Sequence, residues 1–577
     1  MIELTTSQQA AVNAEGLIVL TACPGSGKTT VVAHRLRHLM EKRQLREYQG
    51  IAVLSFTNVA KDSIRQMYYE LTGDQVKGPH FVGTIDSFLN GFVIRVTGHR
   101  LLEKKTQKVI ILDVNSLWID DRFPKLKQFG LSGQNICHDC SGNVIYQQKN
   151  KTISAEAQQY LVVVKRELRK GNIITQGDVS YYCLEILRSF PGFTKALCNR
   201  FPFIIVDEAQ DCSETQMAII DELKRQGHSE IMLLGDPYQS IYEWRDANPE
   251  LIIAKDQDGD WQSLSITETQ RCGESICQFL NKFHNARSIT QDTNRTEISD
   301  AEVIARQADD FNNALAEFVA YARDKGIMIG PDNVAILYGG HRSVANIRKS
   351  KIKETDLFAV ENSDIQALPL RAKIHFDRAE YKQAYECLLR FLYFSSKGER
   401  VKSSRQLHDH KLGDLDSKWL IWSTCKRLPS LELSLLEWIR EVNVVLNEAT
   451  SEIGCRACEL KKKRNQADLN NLNKDLLIEA DEAEVREITI QNIHQIKGRT
   501  FDAVMIYVDS GRGRWKLTVS KIKESLTQHD LFGSDHLDDT RCFYVAASRA
   551  RKVLWICSKD KAIETIFQPS KPGAPRS

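Results

Sequence analysis

Proline and methionine are scarce in this sequence, 13 and 7 residues among 577. So few prolines exclude polyproline spacers and long proline-rich linkers as a major part of the chain. Net charge is nearly absent too: 78 Lys and Arg against 75 Asp and Glu leave +3. A chain so balanced has no global basic field, so any nucleic-acid surface must be a local groove. No apolar run approaches the roughly 20 residues of a bilayer-spanning helix. No N-terminal stretch resembles a secretion signal. The expectations are a cytoplasmic location and no membrane partner.

What is present describes an ordinary globular protein, 42% hydrophobic and 27% charged. Its length exceeds a single core and predicts about three or four domains. The 14 cysteines are scattered, mostly in apolar or helical surroundings such as Cys183, Cys387 and Cys557, as small core residues of a reducing compartment would be. Two CxxC pairs, Cys137/Cys140 and Cys455/Cys458, could hold zinc only if the fold brought them together. Two unrelated pairs of free thiols are expected instead.

The most informative stretch is Ala22-Cys23-Pro24-Gly25-Ser26-Gly27-Lys28-Thr29-Thr30. It follows the apolar run Leu17 to Leu20 and leads into a helical pattern from Val31 to Leu36. Strand, glycine turn, Lys-Thr and helix form the context of a phosphate-binding loop. Its backbone N–H groups would close around a triphosphate at a helix N-terminus. Lys28 would reach the β- and γ-phosphates and Thr29 would hold Mg²⁺. Ala22 departs from the general pattern, which has Gly there.

Apolar strand patterns recur at Ile51–Phe56, Phe81–Thr84, Phe203–Val206, Ile231–Leu234, Val334–Leu337, Ala503–Val508 and Val553–Cys557. Alternation with helical patterns predicts parallel sheets covered on both faces. The expected division is a first core over 1–91 and 173–263, interrupted by an insertion over 92–172. A second core follows over 264–344 and 484–567, interrupted by a mainly helical insertion over 345–483, and 568–577 form a disordered tail. In the second insertion Leu435, Trp438, Ile439, Val442 and Leu446 share one helical face and read as domain core. Lys461-Lys462-Lys463-Arg464 reads as a solvated helix face.

Ile204-Ile205-Val206-Asp207-Glu208-Ala209-Gln210-Asp211 is an apolar strand ending in two carboxylates. Asp207 would bind Mg²⁺ and Glu208 would polarise the attacking water. With the phosphate loop upstream, the chain here resembles the UvrD/Rep/PcrA family of superfamily 1 DNA helicases, whose motifs arrive in order through most of both α/β segments. Leu4-Thr5-Thr6-Ser7-Gln8 is similar to the adenine-reading Q motif, with Gln8 on the base. Phe56-Thr57-Asn58 is similar to motif Ia, and Gly83-Thr84-Ile85-Asp86-Ser87-Phe88 to motif Ib with Asp86 for the usual His. Gly235-Asp236-Pro237-Tyr238-Gln239-Ser240-Ile241-Tyr242-Glu243-Trp244-Arg245 resembles motif III. There the resemblance implies that Gln239 senses the γ-phosphate and Trp244 stacks on a base; a buried structural Trp244 is the alternative.

Thr269-Gln270-Arg271 stands where the family has Asn-Tyr-Arg, so Arg271 carries over and the adenine-stacking ring does not. Ile493 to Asp502 resembles motif V, with His494 as a strand-to-nucleotide link or a structural histidine and Arg499-Thr500 in place of Leu-Glu. Phe543 to Ala550 resembles motif VI, preceded by Asp538-Asp539, and makes Arg549 the arginine finger. The resemblance implies two RecA-like parallel-sheet cores, each with an inserted mainly helical accessory domain. It implies ATP and Mg²⁺ as cofactors and 3′–5′ movement on single-stranded or partly duplex DNA. Phe56, Thr57, Asn58, Phe88, Trp244 and His494 would contact that DNA. The compact size also resembles the helicase subunit of Gabija antiphage systems, which pairs with an OLD/Toprim-type nuclease (GajA-like). The alternative to a motor is a DNA- and nucleotide-sensing ATPase subunit that activates such a nuclease without processive unwinding.

Overall fold

The computed structural model describes residues 4–565 except 102–107, 113–117, 148–152, 242–246, 284–287, 293–297, 299, 309–310, 339–356, 360, 378–380, 400–414, 453, 456–457, 464–487, 494–495, 497, 509–516 and 530–536. The chain divides into two compact units. One comprises Met1–Val114, Phe123–Val344 and Arg486–Ser577; the other comprises Asn115–Arg122 and Ala345–Val485.

The first unit holds two parallel sheets. The larger has six strands in the order Gln262–Ile266, Leu17–Ala22, Ile231–Gly235, Phe203–Val206, Ile51–Ser55, Phe81–Thr84. Along Leu17–Ala22, Val19 joins one apolar cluster while Ile18, Leu20 and Ala22 join another. That alternation shows the period-2 pleat covered on both faces, which is why the strand reads as a continuous apolar run. The second sheet has five strands in the order Glu302–Gln307, Ala550–Ser558, Phe501–Val508, Val334–Tyr338, Thr489–Asn492, again all parallel.

Three of these strands were not expected: Gln262–Ile266, Glu302–Gln307 and Thr489–Asn492. Each lies at a sheet edge, where polar residues face solvent and the apolar pattern fades. Gln262–Ile266 pairs with Leu17–Ala22, so the first sheet extends past the expected boundary at 263. The first insertion is less purely helical than expected. Beside the helix Ala155–Lys170 it has an antiparallel hairpin, Ile136–His138 with Val144–Tyr146, and a strand Ile110–Leu112 paired with Ile173–Thr175.

His138 is committed to this hairpin: its Nδ1 lies 2.9 Å from Asp178 Oδ1, and Lys165 pairs with the other carboxylate oxygen. Among the described residues no cluster of His, Cys, Asp and Glu could hold a metal, and both CxxC pairs are free thiols.

The second unit is built on the helices Leu368–Asp377, Tyr381–Lys397, Leu415–Arg427 and Leu435–Glu452. Leu435, Trp438, Ile439, Val442 and Leu446 are all buried in its core, with Trp438 Nε1 donating to Pro429 O at 3.3 Å. The basic run differs from expectation. Lys462 bridges Phe358 in extended backbone, and Lys461 and Lys463 hydrogen-bond through their main chains, so the segment is a strand-like tie rather than a helix face. Arg464 and the expected disordered tail lie outside the described residues.

One contact sets the N-terminus against the phosphate loop. Thr5 caps the helix Thr6–Asn13 in a capping box with Gln8. The buried Arg35, on the helix that follows the loop, donates to Ala11 O, Val12 O and Ala14 O at that helix's C-terminal end. These are carbonyls with no intrahelical partner, and a cation there also suits the helix dipole. Arg35→Leu would leave them unpaired and buried. We expect a loss of about 2–3 kcal/mol in stability, read as a lowered urea midpoint.

Candidate nucleotide site between two parallel sheets

The phosphate loop leaves the strand Leu17–Ala22 and enters the helix Lys28–Lys42 through Gly25 and Gly27, at φ 76° and 77°. Both lie in the left-handed region that glycine adopts freely. Gly25 is required twice over, because a Cβ there would sit 2.4 Å from Arg271 Cβ. The helix has no capping side chain and no acidic residue in its first turn. Its N–H groups are thus left for an anion. Ser26 is fully buried, and among the described residues its hydroxyl has no hydrogen-bond partner. Among the described residues Lys28 Nζ makes only a long contact, 3.5 Å, to Ala22 O. Glycine cradle, orphan hydroxyl and loosely held ammonium all fit a triphosphate.

The loop is fastened from the segment after Gln262–Ile266. Cys23 N donates to Ile266 O at 2.9 Å, Thr269 Oγ1 to Pro24 O at 2.7 Å, and Gln270 N to Gly25 O at 2.9 Å. Gln8 lies beneath it, 1% exposed, with Nε2 donating to Ser26 O at 2.8 Å and Oε1 accepting from Thr5 N. Both ends of the Gln8 amide are therefore engaged within the protein. Half-buried Thr29 and buried Thr30 open the helix.

Asp207 and Glu208 follow the strand Phe203–Val206. Asp207 is buried, and Glu208 has φ 56°, a left-handed conformation that non-glycine residues rarely hold. Such strain persists where neighbours fix it, and it gathers at working sites. The neighbour here is Gln210, fully buried. Its Nε2 donates to Glu208 Oε2 at 2.5 Å, and its Oε1 accepts from Asp236 N at 3.1 Å. Gly235 makes room for it, since a Cβ there would meet Gln210 Oε1 at 2.4 Å. Asp236 accepts from Gln239 Nε2 at 2.6 Å. Burial raises the Asp236 pKa, with the nearby Lys28 charge opposing the shift.

Two further cations join the site, Arg549 just before the second sheet's strand Ala550–Ser558 and Arg271 just after the short strand Glu268–Thr269. Arg549, at the end of the helix Leu537–Ala547, is 2% exposed and donates through Nη2 to Gln239 Oε1 and to Ser548 Oγ. Half-buried Arg271 donates to Ser548 O at 3.2 Å. Burial first, and the Arg271 charge second, bring Arg549 down to about 9, so it stays charged at neutral pH. Lys28, Asp207, Glu208 and Gln239 thus follow strands of the first sheet, Arg549 precedes a strand of the second, and Arg271 follows the short strand Glu268–Thr269, all within one unit.

The expected DNA-contacting residues fare unevenly. Phe56 is half-buried and packs against the second sheet's apolar cluster. Thr57 caps the helix Asn58–Thr72, and Asn58 is exposed beside it. Phe88 is corrected: it is 2% exposed in an aromatic cluster with Phe81, Phe92 and Phe201, and a strand has no access to it. Trp244 and His494 lie outside the described residues. Sequence reasoning passed over Gln210, whose position after Asp-Glu-Ala was the one available signal. It also missed Arg541, fully buried near Asp211 and lowered to about 10 by that burial.

Residues 4–260 match the family model for the UvrD/REP helicase N-terminal domain, and 446–561 match that for the UvrD-like helicase C-terminal domain. The chain belongs to the UvrD/Rep/PcrA-like superfamily 1 helicases. Among the relatives of this UvrD-like chain is the "ATP-dependent DNA helicase UvrD1" of Mycobacterium leprae, 27% identical over 57% of this chain and 46% of that protein. Another is the "ATP-dependent DNA helicase PcrA" of Staphylococcus aureus, 21% identical over 96% of this chain and 82% of that one. The "Probable DNA helicase II homolog" of Mycoplasma capricolum is 24% identical over 49% and 41%. The matches thus span less than half the length of two of these relatives.

Gln210 fixes a carboxylate in a strained backbone, so its loss should act on turnover rather than on nucleotide binding. Gln210→Ala is expected to lower the ATPase kcat by about 10- to 100-fold with KM little changed. Steady-state kinetics over a range of ATP concentrations check this.

Proposed function

We propose that this UvrD-like chain is an ATP-driven motor on single-stranded DNA, hydrolysing ATP in the seam between its two sheets and moving 3′ to 5′. The observation that carries the reading is the contact of Arg549, from the second sheet's side, with Gln239 of the first. A nucleotide seated on the loop would lie among groups from both sides. The printed names of the relatives, ATP-dependent DNA helicases, support the same reading.

The roles follow from position. Loop N–H groups and Lys28 would hold the β- and γ-phosphates. Glu208, aimed by Gln210, would orient water and take its proton. Arg271 and Arg549 would meet the charge that develops on the γ-phosphoryl oxygens, where fixed donors stabilise the transition state most. Thr29 and Asp207 would hold Mg²⁺, which would supply charge neutralisation at the phosphates. Gln239 holds Arg549 on one side and Asp236 on the other, so loss of the γ-phosphate would be felt by both sheets. Phe56 and Asn58, at the start of the helix Asn58–Thr72, offer the strand a ring and an exposed amide. Gln270, linked to Asp292 at 3.4 Å, replaces an adenine-stacking ring and supports loose base selectivity.

The compact helical unit over 345–485 supports a narrower reading, in which the motor is the helicase subunit of an antiphage defence complex with an OLD/Toprim-type nuclease. In that setting the ATPase either unwinds or only senses DNA and nucleotide. A fluorescent duplex-unwinding assay, on the chain alone and with the nuclease, separates the two: strand release by the chain alone is expected of the motor.

The central test is ATPase activity with and without single-stranded DNA. We expect stimulation by DNA and its abolition by Lys28→Ala or Glu208→Gln. Arg549→Lys should lower kcat by about 10³-fold or more. Equal turnover with and without DNA would count against a motor.

A further inference from the structure

The helix Leu415–Arg427 of the second unit has two unlike faces. One buries Ile421, Thr424 and Cys425 in the unit's core. The other carries Lys418, Trp422 and Lys426, a turn apart, with Trp419 beside them. Trp419 is 69% exposed, and Tyr381, at the start of the neighbouring helix, is 48% exposed. Half-buried Trp422 supports them. Its ring lies 5.4 Å from Tyr381, nearly perpendicular, and 5.6 Å from Phe376.

Lys426 Nζ stands 5.5 Å from the Trp422 ring centre, and among the described residues neither Lys418 nor Lys426 has a carboxylate partner. The neighbouring cations are different: Lys373 pairs with Asp377, and Arg427 with Glu448.

Trp419 takes no part in the unit's apolar cluster. It stands on the same exposed face as the Trp422–Tyr381 ring pair and two lysines, a grouping rather than a single scattered ring. A protein interface also favours aromatic rings but is poor in lysine at its core. Here the exposed groups are flat rings and ammonium groups without a carboxylate partner among the described residues, the chemistry of stacked bases and phosphates. We propose that this ring-and-lysine face binds single-stranded nucleic acid, with bases stacking on Trp419 and Tyr381 and phosphates on Lys418 and Lys426. It is a strand site additional to the sheets, resting on the motor reading only for the identity of the nucleic acid.

The experiment photocross-links a short oligo(dT) bearing iododeoxyuridine to the full chain and maps the adducts by mass spectrometry, alongside anisotropy titrations. Adducts are expected on Trp419 or Tyr381. Trp419→Ala should weaken oligo(dT) binding by roughly 5- to 150-fold, and Trp419→Phe should restore most of it. Lys418→Glu with Lys426→Glu should reduce the slope of log affinity against log salt by about 1.4. DNA-free ATPase activity should not change in any of them. Adducts confined to the two-sheet unit, with Trp419→Ala binding as wild type, would overturn the proposal and leave the motor reading intact. A wild-type chain that fails to bind oligo(dT) would overturn both.

Discussion

The Arg549 guanidinium is buried where two parallel sheets meet, and its hydrogen bonds run to Gln239 across the seam and to Val545 and Ser548 behind it. Arg271 reaches the same residue, Ser548, through its main-chain oxygen. The two guanidiniums repel each other, and burial takes water from both, more completely from Arg549. Neutral oxygens compensate such charges only in part, and a polyanion would compensate them far better. The site is therefore biased toward a polyanion before any arrives. The helix N-terminus beyond Gly27 adds donors of the same preference from the other side.

That arrangement depends on backbone geometry as much as on charge. Gly25 allows the loop to approach Arg271 more closely than any side chain would permit. Gly235 does the same for Gln210, which in turn holds the strained Glu208. The Asp-Glu pair and the Gly-Asp-Pro-Tyr-Gln segment are thus joined by hydrogen bonds through Gln210, while the loop is tied separately to Gln8 and to Ile266, Thr269 and Gln270. From Gln210 the hydrogen bonds continue through Asp236 and Gln239 to Arg549. A packed, directional link of this kind favours discrete open and closed arrangements over gradual deformation.

Much of this was legible in the sequence because buried parallel strands read as apolar runs and phosphate chemistry demands particular residues at particular spacings. Leu17–Ala22 and Phe203–Val206 are buried almost throughout, and both stood out. The strands that escaped, Gln262–Ile266, Glu302–Gln307 and Thr489–Asn492, are half-solvated sheet edges whose partners lie far away in sequence. Phe88 misled because an aromatic in a strand-binding motif and an aromatic in a core look alike until burial is known. Gln210 escaped because its importance lies in two contacts, one of them to a residue on another strand's loop. The lysine run near 461 misled in the opposite way: charge alone does not distinguish a helix face from an extended tie held by its main chain.

The most direct test of a site shared by two sheets is a double-mutant cycle on kcat/KM for DNA-stimulated ATP hydrolysis, using Gln239→Ala, Arg549→Lys and the pair. If Gln239 acts by holding Arg549 against the γ-phosphate, the second substitution costs far less once the first is made. A coupling of at least about 1 kcal/mol is then expected. Strictly additive losses would contradict the account, because the two sheets would then be contributing to catalysis independently.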